Sequence, residues 1–160
     1  MQEFKKLLVW RRAHAFALRV HDAVEKFPRN RFSQLKSQLT RAADSIAANI
    51  VEGCGSTSQR EFARFLAIAI KSASEAEYHL LAALHRGALS LEEHDRLCDE
   101  VTRIRKMLFA LRKKVLATLD GNRSGKRPGS SENLSRQSVA EHHQPTTPNQ
   151  QRLSRDNSEL

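Results

Sequence analysis

From Trp10 to Val115 the apolar residues of this chain recur at intervals of three and four in four successive runs, and none of its prolines (Pro28, Pro128, Pro145, Pro148) falls inside a run. Such spacing lays a stripe along one face of a 3.6-residue helix, whereas a half-buried strand alternates every second residue. Proline inside a run would remove a donor and crowd the preceding turn. The chain is therefore expected to be all-α.

The first run (Trp10, Ala13, Ala17, Val20, Val24, Phe27) stops at Pro28-Arg29-Asn30 and predicts a helix from about Lys6 to Lys26. The second (Leu35, Leu39, Ala42, Ala43, Ile46, Ile50) predicts a helix over roughly Phe32 to Glu52, with Gly53 expected as a left-handed cap because it lacks a Cβ. Ser58 with Glu61, and Ser90 with Glu93, have the spacing of capping boxes and should start helices three and four. Helix three follows Phe62, Phe65, Ala69, Ala73, Ala76, Leu80 and Leu84 towards Gly87. Helix four follows Leu97, Val101, Ile104, Leu108, Leu111 and Val115, spaced like a coiled-coil seam, to about Leu119. Short connections favour antiparallel neighbours, so the expected architecture is an antiparallel up-down-up-down four-helix bundle over residues 1–120.

Composition changes at Asp120-Gly121. Residues 121–160 are rich in Ser, Arg, Asn, Gln and Pro, and their apolar residues are Leu134, Val139, Ala140, Leu153 and Leu160. That segment cannot offset its ordering entropy by burial and is expected to be a disordered polar tail.

Lys and Arg number 27 against 18 Asp and Glu, and residues 1–120 hold 21 of the former and 14 of the latter. The folded part thus carries +7, a field that attracts polyanions. The cations on helices one and four are the candidate phosphate contacts: Lys5, Lys6, Arg11, Arg12, Arg19, Arg103, Arg105, Lys106, Arg112, Lys113 and Lys114. Such contacts give affinity without reading sequence, and few exposed aromatics are expected for stacking on bases.

Cys54 and Cys98 form no CxxC pair, so neither a zinc site nor a disulfide framework is indicated, and a cytoplasmic location is expected. The run LLVW between Lys6 and Arg11 is too short for a signal-peptide core or a membrane span. A di-iron bundle site would need ExxH motifs, and the sequence has none. Cys54 is expected just after a helix end and Cys98 beside the seam, without neighbours that mark a nucleophile. Gly53 and Gly55 lack the Lys and spacing of a P-loop. Neither an enzyme nor a bound cofactor or metal is expected.

Arg41, Ser45, Asn49 and Glu52 recur at four, four and three along one edge of helix two, and Ser72 and Glu75 share an edge of helix three with Glu61 and His79. A structural polar seam between the two helices should result, fixing register more than adding stability. Alanines beside it permit close approach. Leu8, Leu18, Ile68, Ile70, Met107 and Leu116 fall off the main stripes, which suggests contact between copies of the chain.

The phrases FKKLLVWRRAHAFALRVHDAVEKFP, QLTRAADSIAANIVEG and STSQREFARFLAIAIKSASEAE occur in this order. Together they resemble the four-helix-bundle family that includes proteins encoded in intervening sequences of bacterial 23S ribosomal RNA genes. The likeness covers about residues 4–118. In it, Arg41, Ser45, Asn49, Glu52 and Gly53 match the helix-two motif, and Glu61, Phe62, Ser72 and Glu75 that of helix three. Ala47 stands where the family usually has Pro, which should straighten helix two, and Lys71 stands where a Gly usually precedes the Ser. The resemblance implies a homopentamer. It also implies kinship with the accessory variability determinant of diversity-generating retroelements, a basic pentamer that binds nucleic acid and a reverse transcriptase. The expected function is a non-enzymatic oligomeric scaffold binding RNA or DNA; the alternative is a protein-interaction adaptor that does not touch nucleic acid.

Overall fold

The computed structural model describes residues 3–28 and 31–124. Among them run four α-helices, α1 (Leu8–Glu25), α2 (Ser33–Gly55), α3 (Gln59–His85) and α4 (Leu91–Ser124), preceded by one 3-10 turn at Phe4–Lys6. Helices α1 and α3 each pack on α2 and α4, while the diagonal backbones stay apart.

Direction follows from cross-helix pairs. His21 meets Asp44 between α1 and α2, Ser45 meets Ser72 between α2 and α3, and Ala63 meets Arg112 between α3 and α4. Between α1 and α4, Arg19 pairs with Glu100 and Lys26 with Glu93, so a step up one helix is matched by an equal step down the other. All four neighbours are antiparallel, the up-down-up-down bundle that the short connections implied. Phe16, Leu39, Ile46, Ile50, Leu66, Leu80, Leu97 and Leu108 fill the centre, fully buried. Each contributes roughly 1.5–3 kcal/mol relative to exposure.

Local chemistry sets the helix ends. The Ser58 hydroxyl accepts from the Glu61 amide at 3.1 Å and that of Ser90 from the Glu93 amide at 3.2 Å, each satisfying a donor the helix leaves unpaired. Gly87 turns the chain out of α3 with φ +68°, and the Ala88 amide reaches back to the Ala83 carbonyl at 2.8 Å.

Three boundaries differ from expectation. Gly53 is not a cap: α2 runs through it to Gly55, and the turn is closed by the Ser56 hydroxyl donating to the Gly53 carbonyl at 2.7 Å. What Gly53 supplies is room, because a Cβ there would lie 2.7 Å from Phe62 Cδ2 and 3.0 Å from Phe65 Cβ. Phe32 is not helical but sits before α2 with φ +67°. Helix α4 passes residue 120 to Ser124, since a single Gly121 costs only about 1 kcal/mol against Ala and does not stop a long helix. The rest of the expected tail, 125–160, lies outside the described residues.

Of the six apolar residues expected off the stripes, Leu8 and Leu18 are exposed, and Ile68, Met107 and Leu116 are half-buried. Ile70 belongs to the core.

Candidate nucleic-acid interface

Arg12 and Arg19 lie two helical turns apart on the edge of α1 that faces α4, and Arg11 lies beside Arg12. On α4, Glu100 and Arg103 are one turn apart and face back. The two helices enclose an open cleft of about 290 Å³ lined by Arg11, Arg12, Ala15, Arg19, Glu100, Arg103 and Ile104. Its floor is apolar, from Ala15 and Ile104, and its rim carries four guanidiniums against one carboxylate. Arg19 Nη1 donates to Glu100 Oε2 at 2.8 Å, which ties one guanidinium to the opposite wall. Arg103 lies 3.9 Å from Asp99 Oδ2, a looser exposed pair, and Arg11 and Arg12 are exposed. An open, low-polarity floor under several guanidinium forks suits phosphate oxygens, which such forks bind bidentately.

The remaining sequence-selected cations do not gather there. Lys5 and Lys6 are exposed on the 3-10 turn, which packs on α1 and α2, and Lys6 pairs with Glu3 at 2.7 Å. Lys106 is exposed one turn beyond Arg103. Lys113 lines a separate shallow hollow with Phe109 and Leu116, and Lys114 lines another with Gln59 and Phe62.

Arg105 and Arg112 turn instead towards α3. Arg105 donates to the Glu77 carboxylate, and Arg112 Nε donates to the Ala63 carbonyl at 3.2 Å. Two residues along a helix rotate a side chain by about 200°, so Arg105 leaves the wall that Arg103 occupies. Both are half-buried braces between α3 and α4, a correction to their selection as free phosphate contacts.

The polar seam is narrower than expected. The Ser45 and Ser72 hydroxyls meet at 2.9 Å, and Asn49 Nδ2 donates to the Ser45 carbonyl at 2.7 Å and to its hydroxyl at 3.0 Å. Since Ser45 Oγ accepts from Asn49, its own proton is free to reach Ser72. Ser72 is 6% exposed, so this is the buried part of the seam. Arg41, Glu52 and Glu75 are exposed and lie outside that contact. Glu75 instead approaches His79 at 3.7 Å along α3.

Cys54 lies within α2, not beyond its end, and burial raises its thiol pKa. Cys98 Sγ lies 3.3 Å from His94 Nε2, and His94 Nδ1 lies 2.9 Å from Asp95 Oδ1. The row has the order of a nucleophile, base and orienting acid. Yet the Cys98 thiol is pushed up to about 11, by burial first and then by the charges of Glu77, Asp95 and Asp99. A thiol so held is protonated near neutral pH and is a poor nucleophile. Among the described residues no three His, Cys, Asp or Glu converge as metal ligands, and no helix is long and apolar enough to cross a membrane.

Sequence reasoning missed Glu100 and the apolar floor. Glu100 and Arg103 share the i, i+3 spacing of a helical ion pair, the signal that could have drawn attention to it. That Glu100 instead holds Arg19 depends on which helices are neighbours.

The family model described as 23S rRNA-intervening sequence protein matches residues 5–110. Among solved structures, the chain is similar to a crystal structure from Bacteroides thetaiotaomicron, a protein with unknown function from the S23 ribosomal protein family. The two are 28% identical with a TM-score of 0.61, over 66% of this chain and 99% of the other. Comparison with curated proteins gives no match.

Proposed function

This chain belongs to the 23S rRNA-intervening sequence protein family, and from that premise we propose that it is a non-enzymatic, basic scaffold that binds RNA or DNA through phosphate contacts in the α1/α4 cleft. The observation that carries this reading is the convergence of Arg11, Arg12, Arg19 and Arg103 on one open cleft with a single acidic residue. Four guanidiniums around one cleft attract a phosphate backbone over a longer range than scattered surface charge does. The scaffold acts in the cytoplasm as a homopentamer, in line with the resemblance noted from the sequence. Its exposed Leu8 and Leu18 on α1 offer apolar surface for contact between copies. On the same resemblance, its protein partner is a retroelement reverse transcriptase.

The test is a salt series. Each phosphate that is no longer neutralised should reduce the slope of log affinity against log salt by roughly 0.7–0.9. An R11Q/R12Q/R103Q variant should therefore bind labelled RNA more weakly and with a slope flatter by about 2 to 3. An unchanged slope would move the contact surface elsewhere. Light scattering of the parent checks the pentamer, and a monomeric mass at working concentration would remove it.

A second reading, an adaptor that docks a protein and does not touch nucleic acid, is favoured by one observation: Tyr78 and Leu81 on α3 and Phe109 on α4 are large, apolar and exposed. Absence of RNA and DNA binding at low salt would select it.

A further inference from the structure

Residue 32 is the only non-glycine position with positive φ among the described residues. A bulky side chain in the left-handed region costs on the order of 1–3 kcal/mol, which glycine would avoid. Phe32 keeps the strain, and with it the ring. That ring packs edge-on against the buried Phe27, with centroids 6.5 Å apart. It carries two cations from separate connections: the guanidiniums of Arg31 and Arg86 each lie 5.1 Å from its centroid. Arg31 precedes α2 and Arg86 follows α3, so the fold brings two loops together at one end of the bundle. The three residues line an open hollow of about 430 Å³.

Two like charges sharing one ring repel each other, and among the described residues neither has a carboxylate within ion-pair distance. Stacking on the ring holds each guanidinium plane while leaving its N–H fork free. An anion between the forks would relieve the repulsion and accept several charge-assisted hydrogen bonds. Each guanidinium lies 5.1 Å from the centroid of the same ring, which keeps the pair within reach of neighbouring phosphate groups on one ligand. Both side chains are exposed and reachable.

We propose that Arg31, Phe32 and Arg86 form a phosphate-binding clamp at the loop end of the bundle, a second anion site separate from the α1/α4 cleft. Phe32 is its positioning residue, and the two arginines are its contacts. The phosphate belongs either to a nucleic-acid strand or to a small free phosphate compound. The inference extends the phosphate-binding reading above but does not share its residues.

The experiment uses the full chain in a background in which R11Q, R12Q and R103Q silence the cleft, with inorganic pyrophosphate measured by calorimetry and labelled single-stranded RNA by anisotropy over a salt series. R31Q/R86Q should weaken pyrophosphate binding at least tenfold and flatten the RNA salt slope by roughly 0.7–0.9 for each phosphate released. F32L keeps the apolar fill but removes the ring faces, and should weaken both by about twofold to fivefold with little change in melting temperature. Loss of pyrophosphate binding with an unchanged RNA slope would support the clamp and assign it to a small phosphate compound. The clamp is overturned if pyrophosphate does not bind the background protein, or if R31Q/R86Q and F32L alter melting and leave binding as it was. In either case the cleft stands or falls on its own arginines in the parent chain.

Discussion

Arg19 of α1 and Glu100 of α4 face each other across the cleft at 2.8 Å, and Glu100 is the one carboxylate among the residues that line it. The pair therefore ties the two walls together and offsets one of the four guanidinium charges. Replacing Glu100 with Gln should free the Arg19 guanidinium and tighten RNA binding by about twofold to fivefold, the factor that matches an exposed ion pair of ~0.4–1 kcal/mol. Thermal stability should fall by no more than that same amount. Weaker RNA binding in E100Q would mean that the pair shapes the cleft rather than competing with the ligand.

Gly53 is predicted to be intolerant and Gly55 tolerant. A Cβ at Gly53 would press on Phe62 and Phe65, while at Gly55 it would meet nothing within 4 Å. Gly53→Ala should cost about 1–3 kcal/mol from overpacking. Gly55→Ala should add about 0.4–1 kcal/mol by restricting the unfolded chain. Denaturant melts of the two variants settle the matter, and equal stabilities would show that Phe62 swings aside at no cost.

The Ser45–Ser72 contact predicts a non-additive pair. Ser45→Ala leaves the buried Ser72 hydroxyl without its partner and should cost about 1–3 kcal/mol. Changing both serines to Ala should cost less than the sum of the two single changes, since no orphaned hydroxyl remains and Asn49 keeps the Ser45 carbonyl. Glu75→Ala, on an exposed edge, should shift stability by less than about 0.5 kcal/mol. A double-mutant cycle measures the coupling, and simple additivity would place the two hydroxyls apart in solution.

Cys98 should alkylate slowly at neutral pH. The thiolate is the reactive form, and burial with Glu77, Asp95 and Asp99 nearby holds the thiol proton to about 11, against an ordinary 9.0. The rate at Cys98 should therefore keep climbing above pH 9 and level off only near 11, monitored by mass spectrometry after brief iodoacetamide exposure. A plateau by pH 9 would show that the surrounding charges are screened.

The helices and their buried faces were legible because burial repeats with the helical period, and Leu39, Ile46, Leu66 and Leu108 are all buried in the bundle centre. Serine caps were legible too, since Ser58 and Ser90 act on amides three residues away. The role of Gly53 was not, because the same missing Cβ serves a cap or a close approach, and only Phe62 on the next helix decides between them. Arg103 and Arg105 read alike as cations, yet one lines the cleft and the other braces α3. Residue type and even face leave that difference open until the order of helices around the bundle is known. Arg31 and Arg86 escaped notice altogether: no sequence period joins two loop residues that meet only through Phe32.

The cleft lies where the first and last helices of the bundle meet, so its walls are far apart along the chain and are bridged at its rim by ion pairs such as Arg19–Glu100 and Lys26–Glu93. The α2/α3 hairpin, by contrast, is local, alanine-rich and tightly interlocked at Gly53 and Ser72. Excursions that peel α1 from α4 are accordingly the cheapest partial openings of the bundle, and amides on the helix that detaches would be the first to exchange with solvent. Anything that bridges the cleft opposes that peeling, so a bound polyanion would act as a clasp on the two ends of the bundle. Occupancy would then be reported by the persistence of its outermost helix.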